Sequence, residues 1–212
     1  MYICDRVLKE VNMETIFEKS LINSSATIEA VMRLKKPFME FCNVVIEAMN
    51  KGNKIIFCGN GGSAADAQHL TAEFTGRFFL ERRPLPAIAL NTNVSAITAI
   101  ANDYGYDEIF LRQTQALAQP GDVLVGISTS GNSKNIVKAF EYATSIGVTT
   151  VAFTGEAGGK MKEIADILLN VPSSCTPRVQ EAHITMGHIM CEIVEQALFK
   201  DAQKAIPVQY KE

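Results

Sequence analysis

Residues 54–70 read KIIFCGNGGSAADAQHL: a short apolar run, a loop with three glycines, and then a stretch of small and apolar residues. The apolar run predicts a buried strand, and the glycines let the backbone approach a ligand closely. The residues after the loop predict a helix whose first N–H groups are free to bind an anion. A strand, a glycine loop and a helix in this order indicate an α/β fold with a ligand at the strand end.

Further apolar runs alternate with longer helical patterns along the rest of the chain. Buried strands separated by helices form βαβ units with right-handed crossovers, and hence a parallel sheet. The sequence therefore predicts an α/β fold with a doubly wound five-stranded parallel sheet. Its strands are predicted at Lys54–Cys58, Ala87–Leu90, Val123–Ile127, Thr149–Phe153 and Ile167–Val171.

Helical patterns flank this predicted sheet on both sides. Residues from about 5 to 50 contain no glycine and one proline, so we expect an N-terminal helical hairpin, broken near Pro37 and stopped at Gly52. Residues Val179–Phe199 carry apolar side chains at helical spacing and predict a long C-terminal helix. Because no repeat or Pro/Gly linker divides the chain, we expect one domain over residues 1–212, with residues 51–200 as its α/β core and C-terminal helix.

The composition excludes several classes of protein. With 47% hydrophobic and 20% charged residues, the 212-residue chain is neither wholly disordered nor collagen-like. Its net charge of −3 gives no electrostatic case for nucleic acid or an anionic membrane. The first dozen residues look like an extension with no evident role, and they lack the pattern of a signal peptide. No apolar run is long enough for a membrane span. Five scattered cysteines, never spaced CxxC, predict reduced thiols in a cytoplasmic protein: Cys4, Cys42, Cys58, Cys175 and Cys191.

A second polar loop, Ser128-Thr129-Ser130-Gly131-Asn132-Ser133, follows the third predicted strand and leads into a helix beginning near Asn132. Four hydroxyls beside free helix amides suit the terminal oxygens of a phosphate, whereas a helix cap would need only one of them. The loop has no basic residue before Lys134, which favours a sugar monophosphate over a triphosphate that needs lysine and a metal.

The glycine loop also matches the dinucleotide fingerprint Gly59-x-Gly61-x-x-Ala64. That fingerprint needs an acidic residue after the second strand to bind a ribose, and residues 91–93 there are Asn-Thr-Asn. A dinucleotide-dependent oxidoreductase is therefore disfavoured.

Together, the motifs of this chain resemble those of the sugar isomerase (SIS) domain, and within it the phosphoheptose isomerases, over about residues 50 to 200. The resemblance implies a flavodoxin-like fold and an aldose–ketose isomerase. Its reaction would convert sedoheptulose 7-phosphate to D-glycero-D-manno-heptose 7-phosphate through an enediol. This is the first step of nucleotide-activated heptose biosynthesis, for lipopolysaccharide or another glycan. The motifs are Gly59–Ser63, Asp66–His69 through Glu73, Asn102–Gly105, Ser128–Ser133 and Arg178–Ile184.

Two helices carry candidate acid–base and metal-binding side chains. His69 and Glu73 are four residues apart and share a helix face. Gln180 can share a face with His183 or with His188, so spacing does not choose between these two histidines. The resemblance implies a zinc site formed by His69, Glu73, Gln180 and His188, one ion per subunit. It also implies that Glu73 is the general base and His188 the general acid, leaving His183 dispensable for the chemistry.

The two roles that the resemblance implies for Glu73 are in tension, because a carboxylate bound tightly to zinc is a weaker base. Either the metal shifts during turnover, or its role is partly structural.

The resemblance further implies the substrate contacts and the assembly. The glycine loop would approach the sugar, Asn102 and Asp103 would bind hydroxyls, and the serine loop would hold the phosphate. A homotetramer with sites at subunit interfaces is implied, with residues 1–50 used in oligomerisation and with neither nucleic acid nor membrane as a partner. Arg77 could contact the phosphate or an interface, or form a solvated salt bridge. The implied substrate-binding residues are Asn60, Gly61, Gly62, Ser63, Glu73, Asn102, Asp103, Ser128, Thr129, Ser130, Ser133 and Gln180.

One alternative class shares the two loops but performs no chemistry. A non-catalytic SIS protein that binds the bacterial replication initiator would have no need of residues matching Glu73 and His188, and this chain keeps both. A sugar-phosphate-sensing regulator would need a DNA-binding domain, for which 212 residues leave no room. The sequence therefore favours the enzyme.

Overall fold

A computed structural model describes residues 12–200 of the chain, and within them five strands form one parallel sheet. Its strand order is β2-β1-β3-β4-β5. The predicted doubly wound five-stranded parallel sheet is confirmed, and no strand end differs from its predicted position by more than one residue. The strands are β1 (Ile55–Gly59), β2 (Ala87–Ala89), β3 (Val123–Ser128), β4 (Thr149–Thr154) and β5 (Ile167–Asn170).

Helices connect the strands and extend the chain at both ends of the described region. The two expected N-terminal helices and the long C-terminal helix are present. The last helix begins three residues before its predicted start. Pro177 lies in its first turn, where the missing backbone N–H costs nothing because first-turn N–H groups have no partner within the helix. The helices are α1 (Met13–Ala30), α2 (Lys35–Asn50), α3 (Gly62–Thr75), α4 (Val94–Tyr104), α5 (Ile109–Leu117), α6 (Lys134–Ser145), α7 (Met161–Ile164) and α8 (Thr176–Leu198).

The sequence predicts a break between the two N-terminal helices near Pro37, and the structure places it slightly earlier. It lies at the 3₁₀ turn Val31–Leu34, and Pro37 is the third residue of α2. Proline is tolerated there because an N–H in the first turn of a helix needs no intrahelical acceptor. The other end of α2 is as predicted, since the helix ends at Asn50 and Gly52 follows directly after its cap.

The sheet separates two apolar cores, because successive strand residues point to opposite faces. One face carries Phe57 and Val125 and packs against α2, α3 and α8. The other face carries Ile56 and Leu124 and packs against α5, α6 and α7. The helices α3 and α8 therefore lie on the same side of the sheet.

No helix within residues 12–200 is long and apolar enough to cross a membrane. Four of the cysteines are free thiols, and three of them are buried: Cys42, Cys58 and Cys191 buried, Cys175 exposed. Cys4 and the rest of residues 1–11 lie outside the described residues.

Candidate active site

The glycine loop lies between the end of β1 and the start of α3, as predicted. Gln180 of α8 lies directly on this loop: a Cβ atom at Gly62 would be only 2.7 Å from Gln180 Nε2. A side chain at position 62 would therefore displace the amide of Gln180 from the loop. The side chain of Ser63 is buried behind the loop.

The serine loop lies at the carboxyl end of β3, the neighbouring strand. Ser128 Oγ is 2.8 Å from Ser133 Oγ and 3.5 Å from Ser130 Oγ, so three hydroxyls converge. The helix α6 begins at Lys134, two residues beyond its predicted start, and Ser133 is its N-cap residue. The Ser133 hydroxyl makes no capping hydrogen bond. Ser130 Oγ also accepts the N–H of Asn132 at 3.2 Å. The three hydroxyls therefore lie together at the start of α6, where the first amides of the helix can bind an anion.

Three ionisable side chains meet where α3 and α8 face each other. His69 Nε2 is 3.3 Å from Glu73 Oε1 and 3.0 Å from His188 Nε2. Burial lowers the pKa of His188, the charge of His69 lowers it further, and Glu73 opposes both effects. His188 is therefore neutral at neutral pH and keeps one ring N–H, so the cluster holds a proton acceptor and a proton donor side by side.

Close packing of the two helices brings this cluster together. Gly187 of α8 lies against Leu70 of α3, and a Cβ atom at position 187 would be 2.6 Å from a methyl group of Leu70. The neighbours of these two residues are His188 and His69. A larger residue than glycine at position 187 would therefore require the Leu70 side chain or the two helices to shift.

The donor set of the cluster suits a zinc ion, because zinc is bound by imidazole nitrogens and carboxylate oxygens. The set consists of the Nε2 atoms of His69 and His188 and the Oε1 atom of Glu73. His69 Nε2 lies within 3.3 Å of each of the other two atoms. Across residues 12–200, no group of three or more His, Cys, Asp or Glu side chains has the arrangement of a metal site. The zinc site therefore stays a prediction that rests on the donor chemistry.

His183 points away from the cluster formed by His69, Glu73 and His188. Its Nε2 lies 3.1 Å from the carbonyl oxygen of Thr154 at the end of β4, and its ring packs edge-on against Phe153. Burial lowers the pKa of His183 to about 4, against the opposing effect of the bond to Thr154. His188 therefore faces His69, whereas His183 is a neutral side chain in the core, and the functional roles of both histidines stay predictions.

We expect His183→Gln to change the pH dependence of stability. The ordinary imidazole pKa of 6.5 applies to the unfolded chain, so the unfolded chain binds a proton more tightly than the folded one. The contribution of neutral His183 to the free energy of unfolding is fully present above pH 6.5. It is lost as the pH falls toward 4, by roughly 3 kcal/mol in total. Urea unfolding at neutral pH and near pH 5 should therefore show a smaller loss for His183→Gln than for the wild type.

The control is Gln115→Asn, an exposed substitution on α5 that removes no titratable group. This variant should keep the wild-type loss of stability on acidification. Equal losses for His183→Gln and the wild type would contradict the prediction.

The remaining predicted site residues are not joined to the histidine–glutamate cluster by the contacts of the described chain. Asn102 donates a hydrogen bond of 2.9 Å to Asp103, and both lie on the exposed end of α4. Arg77 forms an exposed ion pair with Glu81, at 3.7 Å, which is the solvated alternative considered for it.

A polar network that the sequence did not predict ties the two ligand loops together. Asn60 of the glycine loop and Asn135 of α6 exchange two side-chain hydrogen bonds, of 3.0 and 2.9 Å. The Tyr106 hydroxyl donates to the same Asn60 oxygen at 2.9 Å, which joins the segment after α4 to both loops. The two asparagines are 75 residues apart, so no local spacing could have indicated the pair.

Comparison with known proteins defines the class first. The family model of the SIS domain matches residues 21–155, which is more than half of the chain and includes the glycine and serine loops. The phosphoheptose isomerase of Aliarcobacter butzleri is 50% identical over 86% of this chain and 97% of its own length. That of Clostridium acetobutylicum is 58% identical over 74% of this chain and 80% of its own length.

A solved structure agrees with these relatives. The phosphoheptose isomerase GmhA from Neisseria gonorrhoeae superposes with a TM-score of 0.82, at 41% identity, over 86% of this chain and 98% of its own. The chain belongs to the phosphoheptose isomerase family. It is therefore an enzyme of the sugar phosphate isomerase class, which confirms both the resemblance and the choice of an enzyme made from the sequence.

Proposed function

We propose that the protein converts sedoheptulose 7-phosphate to D-glycero-D-manno-heptose 7-phosphate through an enediol intermediate. The observation that carries this proposal is the meeting of Glu73 and His188 around His69. An aldose–ketose isomerisation needs one group that removes a proton from carbon and another that exchanges protons with the two oxygens. A carboxylate and a neutral imidazole supply these two roles.

The proton transfers follow from the chemistry of the two side chains. Glu73 takes a proton from C1 of the ketose, and the electron pair of the C–H bond forms the C1–C2 double bond. His188 gives its ring proton to the carbonyl oxygen at C2, which completes the enediol. The O1 proton then returns to the imidazole and the carboxylic acid of Glu73 protonates C2, so both groups end as they began.

Recognition of the substrate is assigned to the two loops. The hydroxyls of Ser128, Thr129, Ser130 and Ser133 would hold the phosphate, with the first amides of α6 behind them. Asn60, Gly61, Gly62 and Ser63 would lie along the sugar, and Asn102, Asp103 and Gln180 would bind its hydroxyls. The convergence of three serine hydroxyls supports the first of these assignments.

A zinc ion would be held by His69, Glu73, Gln180 and His188. Bound there, it would act as a Lewis acid that stabilises the negative charge on the enediolate oxygens. Metal analysis of the purified wild type and of His69→Ala tests this part of the proposal.

We also propose that the chain is a single SIS domain that forms a homotetramer through its N-terminal residues, up to residue 50, with the active sites at subunit interfaces. Support comes from α1, whose large apolar side chains face solvent in the isolated chain, among them Phe17 at 66% and Leu21 at 57% exposed. An apolar cavity of about 420 Å³ opens between this N-terminal region and α8. Apolar patches of this kind mark surfaces that are covered by a partner.

The double variant Phe17→Glu/Leu21→Glu is expected to reduce the particle mass by at least half, because two carboxylates would enter the proposed interface. Light scattering coupled to size exclusion measures the mass. The matched control is Lys19→Glu, which adds negative charge to the same helix without removing an apolar side chain. A wild type that is monomeric, or a double variant with wild-type mass, would contradict the proposal.

The function itself is tested with purified protein and sedoheptulose 7-phosphate, coupling the product to the next kinase of the heptose pathway. Turnover by the wild type supports the proposal. A wild type without turnover that binds the replication initiator protein would instead establish the non-catalytic alternative.

A further inference from the structure

A buried ion pair joins the end of α3 to α8, and we propose that it is a positioning device that holds Glu73 and His188 at their working separation. The pair is formed by Arg82 and Glu195, whose Nε and Oε1 atoms are 2.7 Å apart. Their side chains are 2% and 1% exposed. This inference rests on the roles of Glu73 and His188 in the proposed function. It gives Arg82 and Glu195, which are buried, an indirect role in positioning those two residues.

Glu195 organises the segment that follows α3. Its Oε1 atom accepts the N–H of Phe78 at 2.9 Å, and its Oε2 atom accepts the N–H groups of Phe79 and Leu80 at 2.6 and 2.8 Å. Burial alone would raise the pKa of Glu195, but these three N–H groups and Arg82 lower it below its usual range. The carboxylate is therefore ionised and fully hydrogen-bonded inside the protein.

Arg82 acts on the end of α3 itself. Its guanidinium donates to the carbonyl oxygen of Glu73 at 2.8 Å, to that of Phe74 at 2.9 Å and to that of Gly76 at 3.1 Å. The last carbonyls of a helix have no intrahelical partners, and a cation there is also favoured by the helix dipole. Arg82 thus fixes the backbone of the residue that carries the proposed general base.

The same clamp reaches the proposed general acid from the other side. Glu195 lies seven residues after His188, two turns further along α8. The segment that it holds includes Phe78, whose ring lies 5.8 Å from the His188 ring at an angle of 33°. One ion pair therefore sets the backbone position of Glu73 and supports one side of the imidazole of His188.

A second buried carboxylate provides a comparison that separates positioning from stability. Asp122 accepts backbone N–H groups from Lys54 and Gln119 and pairs with the Lys54 ammonium at 2.6 Å. It lies just before β3, at the amino edge of the sheet, opposite the ligand loops. Breaking either buried pair leaves an uncompensated charge and destabilises the protein, but only the Arg82–Glu195 pair touches the elements of the proposed acid and base.

The test compares Glu195→Gln and Asp122→Asn in the full-length protein. For folded Glu195→Gln we expect kcat to fall about tenfold or more, because small misplacements of reacting groups are costly. KM should change much less than kcat, since the proposed phosphate contacts lie on the serine loop, apart from α3 and α8. Hydrogen exchange at the N–H groups of Phe78 and Leu80 should also accelerate. Asp122→Asn should lose stability and keep the wild-type kcat.

Phe78→Leu is the second variant, because it leaves the ion pair intact and removes only the ring beside His188. It should lower kcat at unchanged KM, and it decides the matter if Glu195→Gln does not fold. If Glu195→Gln folds and keeps the wild-type kcat, the positioning role is overturned. If Glu195→Gln does not fold, a wild-type kcat in Phe78→Leu overturns it. Neither result affects the proposed function. Absence of turnover in the wild type would instead refute the proposed function, so the two failures are distinct.

Discussion

Replacing Glu73 by glutamine is expected to lower kcat by about 10²–10⁴-fold while leaving the fold intact. Glutamine has nearly the same shape as glutamate, but its amide cannot accept a proton from carbon. The side chain of Glu73 is partly exposed and its polar contact is with His69, so the substitution leaves no buried charge unpaired. Steady-state kinetics with sedoheptulose 7-phosphate measures the effect, and circular dichroism checks the fold.

His188→Gln should show a comparable loss, because it removes the proposed proton donor from the same cluster. Glu47→Gln is the matched control: this glutamate is exposed on α2 and pairs with Lys51. Undiminished turnover in Glu73→Gln or in His188→Gln would remove that residue from its proposed role. A large loss in Glu47→Gln would show that the assay responds to something other than the site.

Ser130→Asp is expected to raise KM by about a hundredfold or more, because like charges placed together at a binding site cost several kcal/mol. Ser130 lies in the hydroxyl cluster with Ser128. A carboxylate at this position would oppose the phosphate and occupy part of the space of the cradle. Since Glu73 and His188 are not altered, kcat at saturating substrate should change much less than KM.

The control for this variant is Ser145→Asp, the same substitution at the opposite end of α6. It should keep a wild-type KM. Binding of substrate or inorganic phosphate by calorimetry gives a second measurement that does not depend on catalysis. If Ser130→Asp binds phosphate as the wild type does, the phosphate is held elsewhere.

Local patterns were sufficient for most of the fold. Each strand is a short run of β-branched and apolar residues, and the alternation of strands with helices leaves a parallel sheet as the economical arrangement. The offset of the break from Pro37 has a physical reason: a proline in the first turn of a helix and a proline that breaks a helix look alike in sequence. The true break, Val31–Leu34, carries neither glycine nor proline.

The site was less accessible to local reasoning. Helical spacing leaves both His183 and His188 compatible with Gln180, and what separates them is the packing of α8 against β4 on one side and α3 on the other. Gly187 was a signal that could have been used, because a glycine inside a helix often marks a close helix–helix approach. The Arg82–Glu195 pair spans 113 residues, and no short motif announces it.

The proposed phosphate cradle and the proposed acid–base cluster are built on different elements: the serine loop belongs to β3 and α6, and the cluster belongs to α3 and α8. Affinity and chemistry can therefore change independently during evolution. Substitution of the acid and base on α3 and α8 would yield a protein that keeps the proposed phosphate cradle but no longer transforms the sugar phosphate. Such a protein is a ready starting point for a sensor of metabolite levels.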